Sequence, residues 1–284
     1  MMLFRMLTVA LLLVLGSPNG YADENALIMG IFPRHKVTTT YKFFTPLAES
    51  LSSVIGKKVI LETTADYASF ATELDAGRYD IVHFNQYHYV RYHKIHQYQV
   101  IAMNEEFGKS SIAGAIVVRK QSGVKNIDGL RNGQIVFGGG QDAMMSYIVP
   151  TFLLRQAGLK KGSYTEEFAK SPMNALLAVH YGHAQAAGIG DAVLTLPAVK
   201  QKYNAQDIED ILVSEPLAHL PWAVKGTMQE KLVNSIKVAL IGLKYSAEGR
   251  AILENSNLTG ILPAVDADYN RHREIIREVL GEAY

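Results

Sequence analysis

Short apolar runs alternate with helix-periodic segments along nearly the whole chain, in two successive series. An apolar run bounded by turn residues reads as a buried strand, and apolar residues every three or four positions read as one face of a helix. In the first series the expected strands are Leu27–Phe32, Lys58–Glu62, Asp80–Phe84 and Val100–Met103. Between them lie helices Tyr41–Ile55, Tyr67–Ala76 (ended by Gly77) and Gln86–Lys94, the first with Phe43, Leu47, Leu51 and Val54 on one face. The second series has strands at Ala113–Arg119, Gln134–Phe137, Thr165–Phe168, Ala186–Ile189 and Ile208–Val213, with helices Met144–Gln156 and Asn174–Tyr181. Helices Gln229–Tyr245, Glu248–Leu253 and Ala267–Leu280 end the chain. This order predicts an α/β protein of parallel sheets covered by helices. The two series differ in sequence, and breaks fall near Asn104–Ser110 and Ser214–Pro221. The expectation is two lobes, residues 23–106 with 215–284 and residues 107–214. Each is a mostly parallel sheet flanked by helices, with a ligand cleft between them.

The segment QIVFGGGQDAMMSYIVPTFLLRQA, residues 134–157, reads as strand, glycine turn and helix. Gly138, Gly139 and Gly140 permit backbone angles closed to other residues and let a ligand approach the main chain. Asp142 is a candidate N-cap. The free amides of the following turn suit an anion or polar ligand and need no catalytic group. Gly138, Gly140 and Ala143 also fit G-x-G-x-x-A, but an acidic residue at the end of the next strand is missing.

Residues 1–22 read as a secretory signal peptide. Arg5 is the basic start, Met6–Leu15 the apolar run, and Gly20-Tyr21-Ala22 the cleavage site, with cleavage after Ala22. The expected destination is the periplasm. The chain has no cysteine, which excludes disulfides, thiolate metal sites and a cysteine nucleophile. Cleavage would remove one of the 28 Lys and Arg, leaving 27 against 27 Asp and Glu. A balanced chain lacks the basic field that nucleic-acid binding needs, so capture of an anion must be local.

Candidate binding residues cluster after strands. Arg34, His35 and Lys36 follow the first strand, with Tyr41 at the expected start of the next helix. Asn85, Gln86 and Tyr87 follow the third strand and offer hydrogen bonds and a ring face. Asp191 follows Ala186–Ile189, where it can hold a ligand cation or cap the next helix. His83, His88, His93 and His96 crowd one segment, and His93 with His96 has spacing for a shared metal on a helix, without a carboxylate at ligand spacing. There is no G-x-S-x-G and no H-E-x-x-H, and no nucleophile is paired with a base. A non-enzymatic role without cofactor is the expectation.

Several segments together resemble the phosphate, phosphite and phosphonate family of ABC-transporter periplasmic binding proteins. They are MGIFPR, LDAGRYDIVHFNQYHYV, AIVVRKQSGVKNIDGLRNGQIVFGGG, SYIVPTFLLRQAGL, ALLAVHYGHAQAAGIGD and ILPAVDADYNRHREI. The resemblance implies a two-lobe type II binding fold that closes on a small solute and delivers it to an inner-membrane permease, usually as a monomer. It departs at the helix entrance. The family's Ser-Thr-Ser is replaced by Ala143, Met144 and Met145 before Ser146, and a family histidine by Pro172. Hydroxyls donate to an oxyanion and thioethers cannot. The expected ligand is therefore a small anionic or zwitterionic solute, phosphonate- or oxyanion-like. The expected contacts are Arg34, His35, Lys36, Tyr41, Asn85, Gln86, Tyr87, Gly139, Gly140, Asp142, Ala143, Met144, Met145, Ser146 and Asp191. The alternatives are a sensing protein that presents its closed form to a sensor kinase, and a metal carrier using the histidines with Met144 and Met145.

Overall fold

The computed structural model describes residues 26–196, 199 and 207–284, so the signal-peptide reading and its cleavage site lie outside the described residues. Strands β1 (Leu27–Ile31), β2 (Val59–Glu62), β3 (Ile81–His83) and β4 (Gln99–Glu105) alternate with helices α1 (Val37–Ile55), α2 (Tyr67–Asp75) and α3 (Gln86–His96). Next come β5 (Ser111–Ile112), β6 (Gly114–Arg119) and β7 (Gln134–Phe137). A π-helical turn, Met144–Ile148, leads into α4 (Val149–Gln156). The series continues with β8 (Thr165–Phe168), α5 (Pro172–His180), β9 (Ala186–Gly190), α6 (Ala192–Thr195) and β10 (Ile208–Val213). It ends with β11 (Leu217–Ala218), β12 (Pro221–Val224), helices Glu230–Gly242 and Ala247–Asn255, β13 (Gly260–Pro263) and helix Asn270–Leu280.

Two sheets carry the fold. One has the order β13-β4-β12-β3-β1-β2 and the other β10-β6-β9-β7-β8, while β5 and β11 pair as a short ribbon. Each sheet is mixed rather than parallel throughout. In the first, β1 pairs parallel with β2 and β3, but β12 enters antiparallel between β3 and β4. In the second, β7 pairs parallel with β8 and β9, and β6 runs antiparallel to β9 and β10. The returning strand β12 opens on Pro221, which a strand tolerates at its first residue. It carries Trp222, wholly buried in the first core.

Helix α1 starts earlier and is rotated relative to the expectation. Phe44, Leu47, Ala48 and Leu51 face the sheet, Phe43 is only partly buried, and Val54 stands 63% exposed. Helices Glu230–Gly242 and Ala247–Asn255 return to α1 and the first sheet. Helix Asn270–Leu280 instead packs against α3, α4 and the π turn, so it touches both lobes. Arg155 of α4 donates to the Glu278 carbonyl at 2.7 Å.

Candidate functional site

The site forms where the ends of β1 and β3 meet the entrance of the π turn. Beyond β7 the chain passes close to the start of α5, where a Cβ at Gly138 would collide with the Pro172 backbone. Gly139 sits at φ 144°, in the region that disfavours side chains. The first amide bonded within the turn is Tyr147 N–H, which donates to Ala143 O at 2.9 Å, and Ile148 N–H reaches the same oxygen at 3.1 Å. The amides of Met144, Met145 and Ser146 come earlier and make no backbone hydrogen bond among the described residues, as the first turn of a helix dictates. Gly188 leaves room on β9 for Phe137 and for Ser146 O, which seats the turn on the second sheet.

A cavity of about 110 Å³ lies against this turn. Phe32, Arg34, Tyr67, Asn85 and Gln86 line it from the first lobe, and Gly139, Ala143, Met144, Met145, Ser146 and Lys170 from the second. Its walls are mainly apolar. Asn85 caps α3 by accepting from Tyr87 N–H at 2.8 Å. Gln86 is wholly buried; its Nε2 donates weakly to Ala218 O at 3.4 Å, and its Oε1 has no hydrogen-bond partner. Burial, more than the nearby Asp142 charge, pushes the Tyr67 hydroxyl far above its ordinary value, so the ring stays neutral.

Arg34 reaches the cavity already engaged. Its Nη1 and Nη2 donate to the two carboxylate oxygens of Glu106, at 2.6 and 3.3 Å. Glu106 is 6% exposed, and no motif marks it in the sequence. Burial alone would raise its carboxyl, but Arg34 first and then His219 outweigh burial and bring it down to about 2. His219 Nε2 lies 3.8 Å from Glu106, and its Nδ1 accepts from Leu220 N–H at 2.8 Å. His83 stacks on Trp222 with ring centroids 4.3 Å apart, and Trp222 Nε1 donates to Asn104 Oδ1 at 2.8 Å. Burial lowers His83 to about 3 and His219 to about 4, so both rings are neutral at neutral pH. A second cavity of about 10 Å³, lined by Arg34, His35, His83, Asn104 and Glu106, lies behind this group.

Of the residues expected from sequence, Arg34, Asn85, Gln86, Gly139, Ala143, Met144, Met145 and Ser146 line the main cavity. The others do not. His35 packs edge-on against Phe43 at 5.3 Å, and burial with the Arg34 charge lowers it to about 4. Lys36 is the exposed residue before α1, and Tyr41 is 40% exposed on that helix. Tyr87 turns toward the C-terminus, donating to Glu282 at 2.9 Å beside Tyr284. Gly140 lies beside Asp142 outside the lining. Asp142 is no N-cap: Ala143 holds that position without a side-chain bond, and Asp142 lies 3.4 Å from His88 across the cleft. Asp191 holds the N-cap position of α6 without a side-chain bond to that helix; its carboxylate accepts from Ala113 N–H at 3.0 Å and ties β9 to the start of β6. His93 and His96 diverge to Asp266 and Asp75, each at 3.6 Å, and among the described residues no three ligating side chains converge.

The family model for ABC-transporter phosphonate periplasmic substrate-binding proteins matches residues 29–269. Solved structures share the fold at low identity. Prochlorococcus marinus PhnD1, in complex with methylphosphonate, is 17% identical with TM-score 0.79, over 91% of this chain and 99% of that one. A binding component of an ABC phosphonate transporter from Pseudomonas aeruginosa is 14% identical with TM-score 0.77, over 91% and 87%. A Xanthomonas citri protein bound to chloride is 15% identical with TM-score 0.77, over 90% and 98%. The chain belongs to the family of phosphonate ABC-transporter periplasmic substrate-binding proteins, two-lobe carriers that hand a small molecule to a permease.

Proposed function

We propose that this protein captures a small anionic or zwitterionic solute, phosphonate-like in size, in the cavity between its lobes. The observation that carries this reading is the joint lining. Met144, Met145 and Ser146 at the opening of the π turn in one lobe, and Arg34 and Gln86 of the other, line a single small cavity. Free helical amides hold an oxyanion by dipole and hydrogen bond. The similar Prochlorococcus marinus protein holds methylphosphonate, which supports a solute of that size. The lobes divide as residues 23–106 with 215–284 and 107–214, and they close on the solute without transforming it. The working form is a monomer released from its leader after Ala22. The bound set is Arg34, Asn85, Gln86, Gly139, Ala143, Met144, Met145 and Ser146, extended by Phe32, Tyr67 and Lys170.

The test is a thermal-shift panel of phosphonates, sulfonates, carboxylates and amino acids. A ligand at a hundred times its Kd adds about 2.7 kcal/mol of stability, a shift easily read. The expected result is a rise in Tm for at least one oxyanion class, abolished in Met145→Trp, which fills the cavity. A panel without any shift refutes the ligand class.

A further inference from the structure

The two cations that line the cavity differ in what they have left to offer. Lys170 is exposed at the rim. Arg34 is clamped on both outer nitrogens by Glu106, a carboxylate reached by almost no solvent. The other titratable groups facing Glu106 are His35 beside Arg34, His83 of β3 and His219 beyond β11, and none adds a positive charge at neutral pH. Seen from the cavity, Arg34 and Glu106 together carry no net charge. Asp142 and Asp191, two other nearby carboxylates, lie against His88 and the Ala113 amide. Ala143, Met144 and Met145 bring no hydroxyl donor to the lining, whose hydroxyls are those of Tyr67, Ser146 and Ser171. Gln86 Oε1 is a buried acceptor without a partner, and a guest that keeps a proton can satisfy it.

We propose that Glu106 is the residue that sets the charge state of the guest: the cleft takes a singly charged tetrahedral oxyanion and rejects its divalent form. Glu106 acts through Arg34 and touches no ligand, so it is a positioning and charge-setting residue. A phosphonate would enter as its monoanion, with its remaining P–OH available to the Gln86 oxygen. The inference rests on the reading of this cavity as the solute site. Glu106 stands behind Arg34 and cancels the charge that Arg34 would otherwise set against a second negative charge on the guest; at an effective dielectric near 20, a unit charge roughly 10 Å away changes affinity by about tenfold.

Methanesulfonate and methylphosphonate separate the charge from the shape. Both are methyl groups on a three-oxygen centre. The sulfonate stays monovalent, and the phosphonate loses its second proton near neutral pH. Calorimetric titrations at about pH 6 and about pH 9 compare the wild type with Glu106→Gln, which keeps the shape and one hydrogen bond to Arg34. In the wild type, sulfonate affinity should be level and phosphonate affinity should fall about tenfold at the higher pH. In Glu106→Gln, sulfonate should bind about tenfold tighter and phosphonate should no longer weaken as pH rises. A wild-type preference for the divalent phosphonate overturns the proposal. So does a Glu106→Gln profile that parallels the wild type, or silence of both proteins toward both probes. Met145→Trp, checked for folding by circular dichroism, separates the two levels. If it binds the probes like wild type, the cavity is not the site. If it loses them while Glu106→Gln behaves as wild type, only the role of Glu106 fails.

Discussion

Acid should unfold this protein earlier than carboxylate titration alone would predict, because it buries three neutral histidines. His83, His219 and His272 are at most 3% exposed. Burial is the first cause of lowering for each, to about 3, 4 and 3. His272 lies in the helix that touches both lobes, and neither of its ring nitrogens makes a hydrogen bond of good geometry. The unfolded chain takes up a proton on each imidazole as pH falls below about 6.5, and the folded chain does not, so stability declines with falling pH. At pH 5 the loss is about 2 kcal/mol per histidine, or about 6 kcal/mol together. That equals much of the 5–15 kcal/mol that holds a typical domain folded. Glu106 acts in a lower window. Its folded value is depressed to about 2, so its contribution is full above the ordinary carboxylate range and is lost as pH falls from about 4.5 toward 2. Urea denaturation followed by far-ultraviolet circular dichroism from pH 7.5 to 4.5 reads the effect. The midpoint should drop steeply below about pH 6, with two to three protons taken up per molecule unfolded. His272→Phe should remove about one of them. A midpoint level between pH 7 and 5 refutes the account of buried neutral rings.

Other perturbations test the architecture. Gly138→Ala drives a methyl group into the Pro172 backbone and should cost about 1–3 kcal/mol, measured as a lower urea midpoint. Trp222→Ala empties a wholly buried site and leaves Asn104 without its indole donor, so a loss of about 3–5 kcal/mol is expected in the same assay. Tyr87→Phe removes the hydrogen bond to Glu282 and should cost about 1 kcal/mol of stability while leaving solute affinity unchanged. A loss of affinity there would return Tyr87 to the binding set.

The alternation of β and α segments was legible because strand and helix periods differ so clearly, and the expected strands of both series fall on strands of the structure. The missing elements were those with little pattern. β5 and β11 have two residues each, and β12 begins on proline. The absence of β12 and β13 from the reading concealed the mixed pairing of the first sheet, where β12 separates β3 from β4; in the second sheet β6, β9 and β10 were all read, and their antiparallel pairing carries no local signal. At the site, the glycine turn and the Ala143–Ser146 amides were readable because backbone geometry follows local sequence. Side-chain direction does not. Tyr87 and Gln86 are neighbours on α3, yet one turns to the C-terminus and the other to the cavity. Glu106 was invisible because its importance comes from Arg34, 72 residues away in the chain. Its only local signal was a charged residue at the end of a strand-like run.

The central claim, that a solute lodges between the two lobes against the Met144–Ser146 amides, is tested most directly by a crystal structure of the protein grown with methanesulfonate. The account predicts oxyanion density within hydrogen-bond reach of those three amides and facing Arg34. Density only elsewhere, for instance in the groove between Val54 and Val238, with the lobe cavity filled by water alone, would contradict it.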